Sequence, residues 1–483
     1  MDDSSVKNKL LNGFAWESMT RFLVQLGSWG STIYVARLLS PNDYGVMAIA
    51  LVITHVLTFV LEMGMAEGLI QKREISQQQI DGVFYISIIF ALMLAFGTYI
   101  SAPLIAQFYE EAILTDVFET LSIAILISGF IVMPKALVLR ELDFRYRALV
   151  DMWANFASIV VVVVMVTLGY GVWSLVYAYL TLQLSIAIGY IRKLKFIPKA
   201  RFWYNGLGDI ISFGYKLMLS RLLTMVQTKS DVFIAGAFVK ADLLGYYAMA
   251  LTFATIPATK IGTMFNALAF PTIAKVASDA LMVKKYYLEL QKYLLMICMP
   301  MLVGLALVAE EFVIVLLTDT WSPIVGVLQI LCVANVFIVL GMLAPQVLIG
   351  LGKAGLVLKY NVFVAILLPL AILCGVMFGL YSMCWFIVVA SFISFVVIKK
   401  IIVRTLGISK DELYQAYCHI IIASVVMAVS VLLVQYCFAE LTPIYLLLLK
   451  ISGGAIVYVL TYYLFFRGEI SKVVSNIKAM KAV

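Results

Sequence analysis

Apolar runs of about twenty residues or more, each long enough to cross a bilayer, alternate along this chain with short polar intervals. They fall at residues 10–36, 44–66, 81–107, 112–136, 148–169, 172–193, 209–238, 243–269, 286–309, 322–350, 355–378, 380–401, 413–438 and 442–466. Within each run the apolar positions are nearly continuous instead of alternating every second residue, which selects helices over the strands of a barrel. The pattern predicts an all-α polytopic membrane protein of about 14 transmembrane helices, arranged as two six-helix lobes plus a C-terminal helix pair. The longest intervals, near 194–208, 271–287 and 403–412, are too short for a soluble catalytic domain.

Composition and charge add orientation. The chain is 64% apolar and 13% charged, with a mean hydropathy of +1.04, whereas soluble domains carry about 25% charged residues. Of its 35 Lys and Arg residues, 27 fall in the two termini and every second loop, against only Arg37 and Lys240 in the opposite loops. By the positive-inside rule both termini are expected to be cytoplasmic. The amino terminus lacks the basic region, short apolar core and small-residue site of a cleaved leader, so none is expected.

An internal echo runs at an offset of two hundred residues. Arg21, Leu23, Gly45, Ala48, Ala50 and Leu51 match Arg221, Leu223, Gly245, Ala248, Ala250 and Leu251, with the arginines in mid-segment and the glycines at helix starts. Pro134 and Leu137 are echoed by Pro345 and Leu348, each pair entering a predicted cytoplasmic loop. Six helices per lobe give both lobes the same orientation, hence a parallel repeat with a cavity expected between its halves. The predicted divisions are 1–205, 206–405 and 406–483, the last holding the extra helix pair and tail.

With span ends defined to within a few residues, the six cations left after the count of loop and terminal charges are assigned to the spans: Arg21, Lys216, Arg221, Lys229, Lys260 and Lys450. A charge at membrane depth costs at least ~2.5 kcal/mol, so it faces a bundle interior or a wet cavity and marks a substrate or ion path. Glu17, Arg21, Gln25, Ser28 and Thr32 advance by three or four residues along one face of the first span. Ser220, Arg221, Thr224, Thr228 and Asp231 do the same on the seventh, with Lys229 about a quarter-turn away. The eighth adds Thr252, Thr255, Thr259, Thr263 and Asn266 beside Lys260, and the second adds Thr54, His55, Thr58 and Glu62.

Interhelical hydrogen bonds account for the hydroxyl residues, and ion pairs such as Glu17 with Arg21 for part of the charge. Cations outnumber acids at this depth, however, and the surplus suits an anionic phosphate or diphosphate headgroup. Arg21, Lys216, Arg221, Lys229 and Lys260 are therefore the candidate substrate-binding cations. Glu17, Glu62 and Asp231 are candidates for proton or cation coupling, with a structural counter-ion role as the alternative for each.

Several motifs point elsewhere and are set aside. Gly350, Gly352 and Gly355 spell GxGxxG in a loop with no preceding strand, which is turn chemistry and not a dinucleotide site. Gly375 and Gly379 form GxxxG, a close-packing signal. The six cysteines lack CxxC spacing and read as small hydrophobes, and His55 and His419 have no ligand cluster around them, so no metal or cofactor is expected.

Seven segments then carry a family resemblance across nearly the whole chain: ARLLSPNDYGVMAIA at 36–50, GMAEGLIQKREIS at 64–76, LRELDFRYRALVD at 139–151, GYGVWSLV at 169–176, LLGYYAMALTFATIP at 243–257, FPTIAK at 270–275 and DTWSPIVGVLQIL at 319–331. In number and order they resemble the polysaccharide transporter family of the MOP flippase superfamily, in particular its WzxC-like lipopolysaccharide and exopolysaccharide flippases. The resemblance implies fourteen helices in two lobes, a V-shaped cavity opening alternately to each side, and transfer of an undecaprenyl-diphosphate-linked oligosaccharide across the bacterial inner membrane, with ion coupling suspected. It also implies that Arg140 and Arg145 help gather substrate at the cytoplasmic mouth, although topology alone explains them equally well.

Expected partners are the lipid-linked oligosaccharide, membrane lipids, a glycan polymerase and other export proteins, without nucleic acid. A membrane-embedded glycan polymerase or glycosyltransferase is the alternative from another class, and it needs a larger external loop than this chain has. A drug or cation exporter of the same superfamily is a further one, better served by an anionic cavity.

Overall fold

The computed structural model describes residues 24–62, 69, 75–194 and 207–465, with backbone alone at 194 and 207–221. Every long element among them is a helix: α1 (residues 24–36), α2 (Pro41–Glu62), α3 (Gln77–Phe108), α4 (Ile113–Arg140), α5 (Phe144–Thr167), α6 (Trp173–Leu194), α7 (Leu207–Gly236), α8 (Ala241–Lys275), α9 (Ala280–Leu307), α10 (Ala309–Leu316), α11 (Ile324–Gly341), α12 (Ala344–Gly350), α13 (Ala354–Val376), α14 (Leu380–Leu406), α15 (Lys410–Cys437) and α16 (Pro443–Phe465). Eleven spans among the described residues are long and apolar enough to cross a membrane, α11 and α12 counting as one. Helices α7 and α8 are also long enough to cross, at 30 and 35 residues, and the threonines and Lys260 of α8 dilute its apolar character. The order follows the predicted segments.

Contacts divide the chain into two compact units, one up to Gly245 and one from Tyr246 onward. In the first, α3 opens on a capping box, in which the Ser76 hydroxyl accepts from the Gln79 N–H and the Gln79 side chain accepts from the Ser76 N–H. Its buried face is a row of small residues, Ser87, Ala91, Ala95, Thr98, Ala102 and Ala106, three or four positions apart. That row lets α4 approach closely: a Cβ on Gly129 would lie 2.5 Å from the Ala91 Cβ. Small residues drive such approaches in lipid, where apolar area alone gives no association energy.

Helix α4 also packs on α6 and α2. It continues past the predicted end near residue 136 to Arg140, and Lys135, which the charge count places with the following loop, lies within the helix.

The glycine echo has a structural counterpart. Gly45 of α2 lies against the first residue of α8, where a Cβ would sit 1.7 Å from the Ala241 carbonyl oxygen. Gly245 of α8 lies against the first residue of α2, where a Cβ would sit 1.8 Å from the Pro41 carbonyl oxygen. The two contacts are reciprocal and share the two-hundred-residue offset.

In the second unit, Leu294, Leu295, Cys298 and Leu302 bury one side of α9, which packs on α11 and α15. The predicted run 322–350 is broken after Gly341, and the chain re-enters helix at α12 with Pro345 in its first turn, where a missing N–H costs nothing. The GxxxG pair serves the α13–α14 hairpin. A Cβ on Gly375 would fall 2.7 Å from the Met383 Cα, and Gly379 caps α14 at φ +97°. Gly352, at φ +74°, turns the chain between α12 and α13 as expected of a loop.

Lys450 corrects the sequence-based list of functional cations. It sits on α16 with a side chain 1% exposed, and its Nζ lies 2.5 Å from Oε1 of Glu311 on α10. Glu311 is 7% exposed at its side chain. This cation is neutralised inside the protein and fixes α16 to α10; it contributes no free charge.

Large apolar side chains remain on the outer surface, Phe378 at 78% and Tyr436 at 87% exposure among them. Against lipid tails such exposure carries no hydrophobic penalty.

Candidate functional site

The first unit assembles its polar groups on the helices that meet α2. Of the predicted substrate-binding cations, Arg21 lies outside the described residues, as does Glu17, while Lys216 and Arg221 lie on the part of α7 described by its backbone. Together with Lys229 they are distributed over about 20 Å of one helix.

Lys229 is half-buried, and no carboxylate among the described residues pairs with it. Its charge acts on His55 of α2, whose ring stands edge-on to Tyr179 of α6 at 6.0 Å between centroids. Asp231, two residues on, is half-exposed and accepts the Val232 N–H at 2.8 Å.

On α8, within the second unit, Thr252, Thr259, Lys260 and Thr263 are exposed and Thr255 is half-exposed. Each threonine hydroxyl donates to the carbonyl four residues earlier on its own helix, at 2.7–2.8 Å. The interhelical bonding expected for these hydroxyls is therefore replaced by bonds within α8, which leave their oxygen lone pairs outward. With the hydroxyls satisfied by their own backbone, the exposed charge of Lys260 is what calls for water beside this face.

Glu62 and Lys135 form an ion pair at 3.2 Å, the two side chains 34% and 37% exposed. They border a partly open cavity of about 240 Å³ between α2, α4, α5 and α6, whose other polar walls are Thr58, Ser128, Arg147, Asp151, Gln183 and Tyr190. Arg147 pairs with Asp151 at 3.8 Å one turn along α5. Of these groups only Thr58 and Glu62 stand out in the sequence. Lys135 and Arg147 count there as loop charges, and the i,i+4 spacing of Arg147 and Asp151 is the available sign that they share a helix face.

Arg140 donates from Nη1 to the Leu69 carbonyl at 2.7 Å. Leu69 is itself buried among Val83, Met133 and Ala136, so Arg140 ties Leu69 to the end of α4. Arg145 is exposed in the first turn of α5.

Beside it, Asp143 caps α5 by accepting the Tyr146 N–H at 3.0 Å and pairs with Lys193 of α6. Burial pushes the Asp143 carboxyl up, but the Lys193 side chain and the Tyr146 N–H together outweigh it and hold the group below the ordinary carboxylate range. The cysteines are all free, and the described residues contain no metal-ligating cluster.

The profile of a family described as "Polysaccharide biosynthesis protein" matches residues 34–326. The teichuronic acid biosynthesis protein TuaB of Bacillus subtilis (strain 168) is 23% identical over 415 residues, which cover 85% of this chain and 86% of that protein. The lipopolysaccharide biosynthesis protein WzxC of Escherichia coli (strain K12) is 24% identical over 379 residues, covering 77% and 76%.

In architecture, the chain superposes on the lipid II flippase MurJ in its inward closed conformation with a TM-score of 0.74 at 14% identity, over 93% of this chain and 100% of that one. At that identity the likeness establishes the fold. The family match spans more than half of the sequence and includes every helix that carries a described candidate cation, so the chain belongs to the family of polysaccharide biosynthesis proteins.

Proposed function

We propose that this protein is a flippase that moves an undecaprenyl-diphosphate-linked oligosaccharide from the cytoplasmic to the periplasmic or outer leaflet by alternating access, and that it performs no bond-making chemistry. It would reside in the bacterial inner membrane with both termini cytoplasmic, and its repeat would divide at 205/206 with 406–483 as an added helix pair. The observation that carries this reading is Lys229, a half-buried membrane cation without a carboxylate partner among the described residues, on the same helix as Lys216 and Arg221.

A diphosphate would supply counter-charge to Lys216, Arg221 and Lys229 of α7, and its departure on the far side would free them for the next cargo. The exposed threonine row of α8 offers acceptor oxygens to sugar hydroxyls beside Lys260. Arg145, exposed at the basic-loop end of α5, would attract the anionic cargo there, whereas Arg140 already holds the Leu69 carbonyl. Glu17, Glu62 and Asp231 are the groups through which an ion gradient would act. The relatives named for teichuronic acid and lipopolysaccharide biosynthesis support a glycan cargo.

Alanine at Arg21, Arg221 or Lys229 is expected to leave the protein in the membrane at normal abundance and to cut glycan export about tenfold or more, since a hydrogen bond to a charged group contributes roughly 1.5–3 kcal/mol. Lysine at either arginine should restore part of it, because charge matters more here than fork geometry. Normal export from these variants would refute the assignment.

A further inference from the structure

The cavity inside the first unit has chemistry of its own, separate from the α7 cations. Its volume of about 240 Å³ corresponds to roughly eight waters and lies below the ~300–1,000 Å³ of drug-sized pockets, so it accommodates one ring-sized ligand and not an oligosaccharide. Its walls carry two cations, Lys135 and Arg147, and two carboxylates, Glu62 and Asp151, already paired at 3.2 and 3.8 Å.

The four charges cancel. An anion entering here would meet two carboxylates and two cations already paired with them, and so would gain no net attraction from the walls. An uncharged ligand with many hydroxyls breaks neither pair. Carboxylate oxygens accept its O–H groups, while Arg147, Lys135 and the amide of Gln183 donate to its oxygens. Tyr190 adds a side chain that is almost wholly buried, and Leu61 of α2 with apolar residues of α4 and α6 lines the remainder, suiting the C–H face of a pyranose.

We propose that this cavity is a binding site for a single neutral sugar ring, located within the first unit and distinct from the cation ladder. It deepens the flippase reading and rests on it for its purpose, which is to engage an uncharged sugar of the glycan while the diphosphate is held elsewhere.

The test uses the purified full chain in lipid nanodiscs free of sugar detergent, with saturation-transfer NMR on methyl hexopyranosides, glucuronate and inorganic phosphate as probes. A neutral methyl hexoside is expected to receive saturation from the wild-type protein more strongly than glucuronate or phosphate does. The signal should fall at least fivefold in Gln183→Leu and in the near-isosteric Asp151→Asn, each checked for an unchanged elution profile and melting temperature.

Absence of transfer to every neutral hexoside overturns the proposal, as does an undiminished signal in whichever of the two variants folds, or a preference for glucuronate or phosphate. The flippase reading fails separately: if wild-type protein moves lipid-linked glycan but binds no sugar, only the cavity assignment is lost, and if it binds sugar but moves no glycan, only the transport reading is.

Discussion

Lys450→Met is expected to destabilise the protein by about 3–5 kcal/mol, because it leaves the Glu311 carboxylate buried without its counter-charge. One oxygen of that carboxylate, Oε2, already lacks a partner, so nothing nearby takes over from the lysine. The melting temperature of the purified protein in detergent should drop by several degrees. The double variant Lys450→Met/Glu311→Met should return to within about 1 kcal/mol of wild type or exceed it, since replacing both members of a buried pair with apolar groups of similar volume removes the desolvation cost along with the attraction. A single variant as stable as wild type would contradict the burial and pairing described here.

Gly45→Leu is expected to prevent accumulation of folded protein, and even Gly45→Ala should cost more than the ~1–3 kcal/mol typical of overpacking. The added Cβ would sit 1.7 Å from the Ala241 carbonyl oxygen and 2.5 Å from its carbon. These are backbone atoms at the start of a helix and have no rotamer to give way. Gly245→Ala should behave alike, because its Cβ meets the Pro41 carbonyl in the mirrored contact.

The internal control is Gly97→Ala in α3, where nothing lies within 4 Å of the new Cβ. That substitution should be neutral or stabilising by about 0.5–1 kcal/mol through the loss of glycine's backbone freedom. Equal membrane abundance and melting temperature for Gly45→Ala and Gly97→Ala would show that the reciprocal crossing does not hold α2 against α8.

Hydrophobic length makes most of the fold legible in the sequence. A run of about twenty apolar residues leaves the backbone only one way to satisfy itself in lipid, so the spans and their order follow directly. The echo of Gly45 by Gly245 is legible too, and it is a contact instead of only a trace of duplication.

What the apolar pattern hides is everything decided by where a helix stops. The charge count places Lys135 with the loop that follows α4, but the helix runs on to Arg140, so loop counting conceals Lys135 and, across the turn, Arg147. The break between α11 and α12 is invisible because both pieces are equally apolar. Lys450 misleads for a related reason: its partner Glu311 belongs to the short helix α10, in an interval the apolar pattern passes over. The cations of α7 stand out because burial in oil makes a lone charge conspicuous, whereas the charge-balanced cavity does not, since its members lie on four helices from residue 58 to residue 190.

The most direct measurement is translocation by the purified protein in sealed vesicles containing an undecaprenyl-diphosphate oligosaccharide with a fluorescent label, followed by adding an impermeant quencher. With wild-type protein, quenching should run past the outer-leaflet fraction towards completion, and with Arg221→Ala or Lys229→Ala it should stop at the level of protein-free vesicles. Wild-type vesicles that also stop there, or variants that flip the lipid as fast as wild type, would contradict a cation-guided flippase.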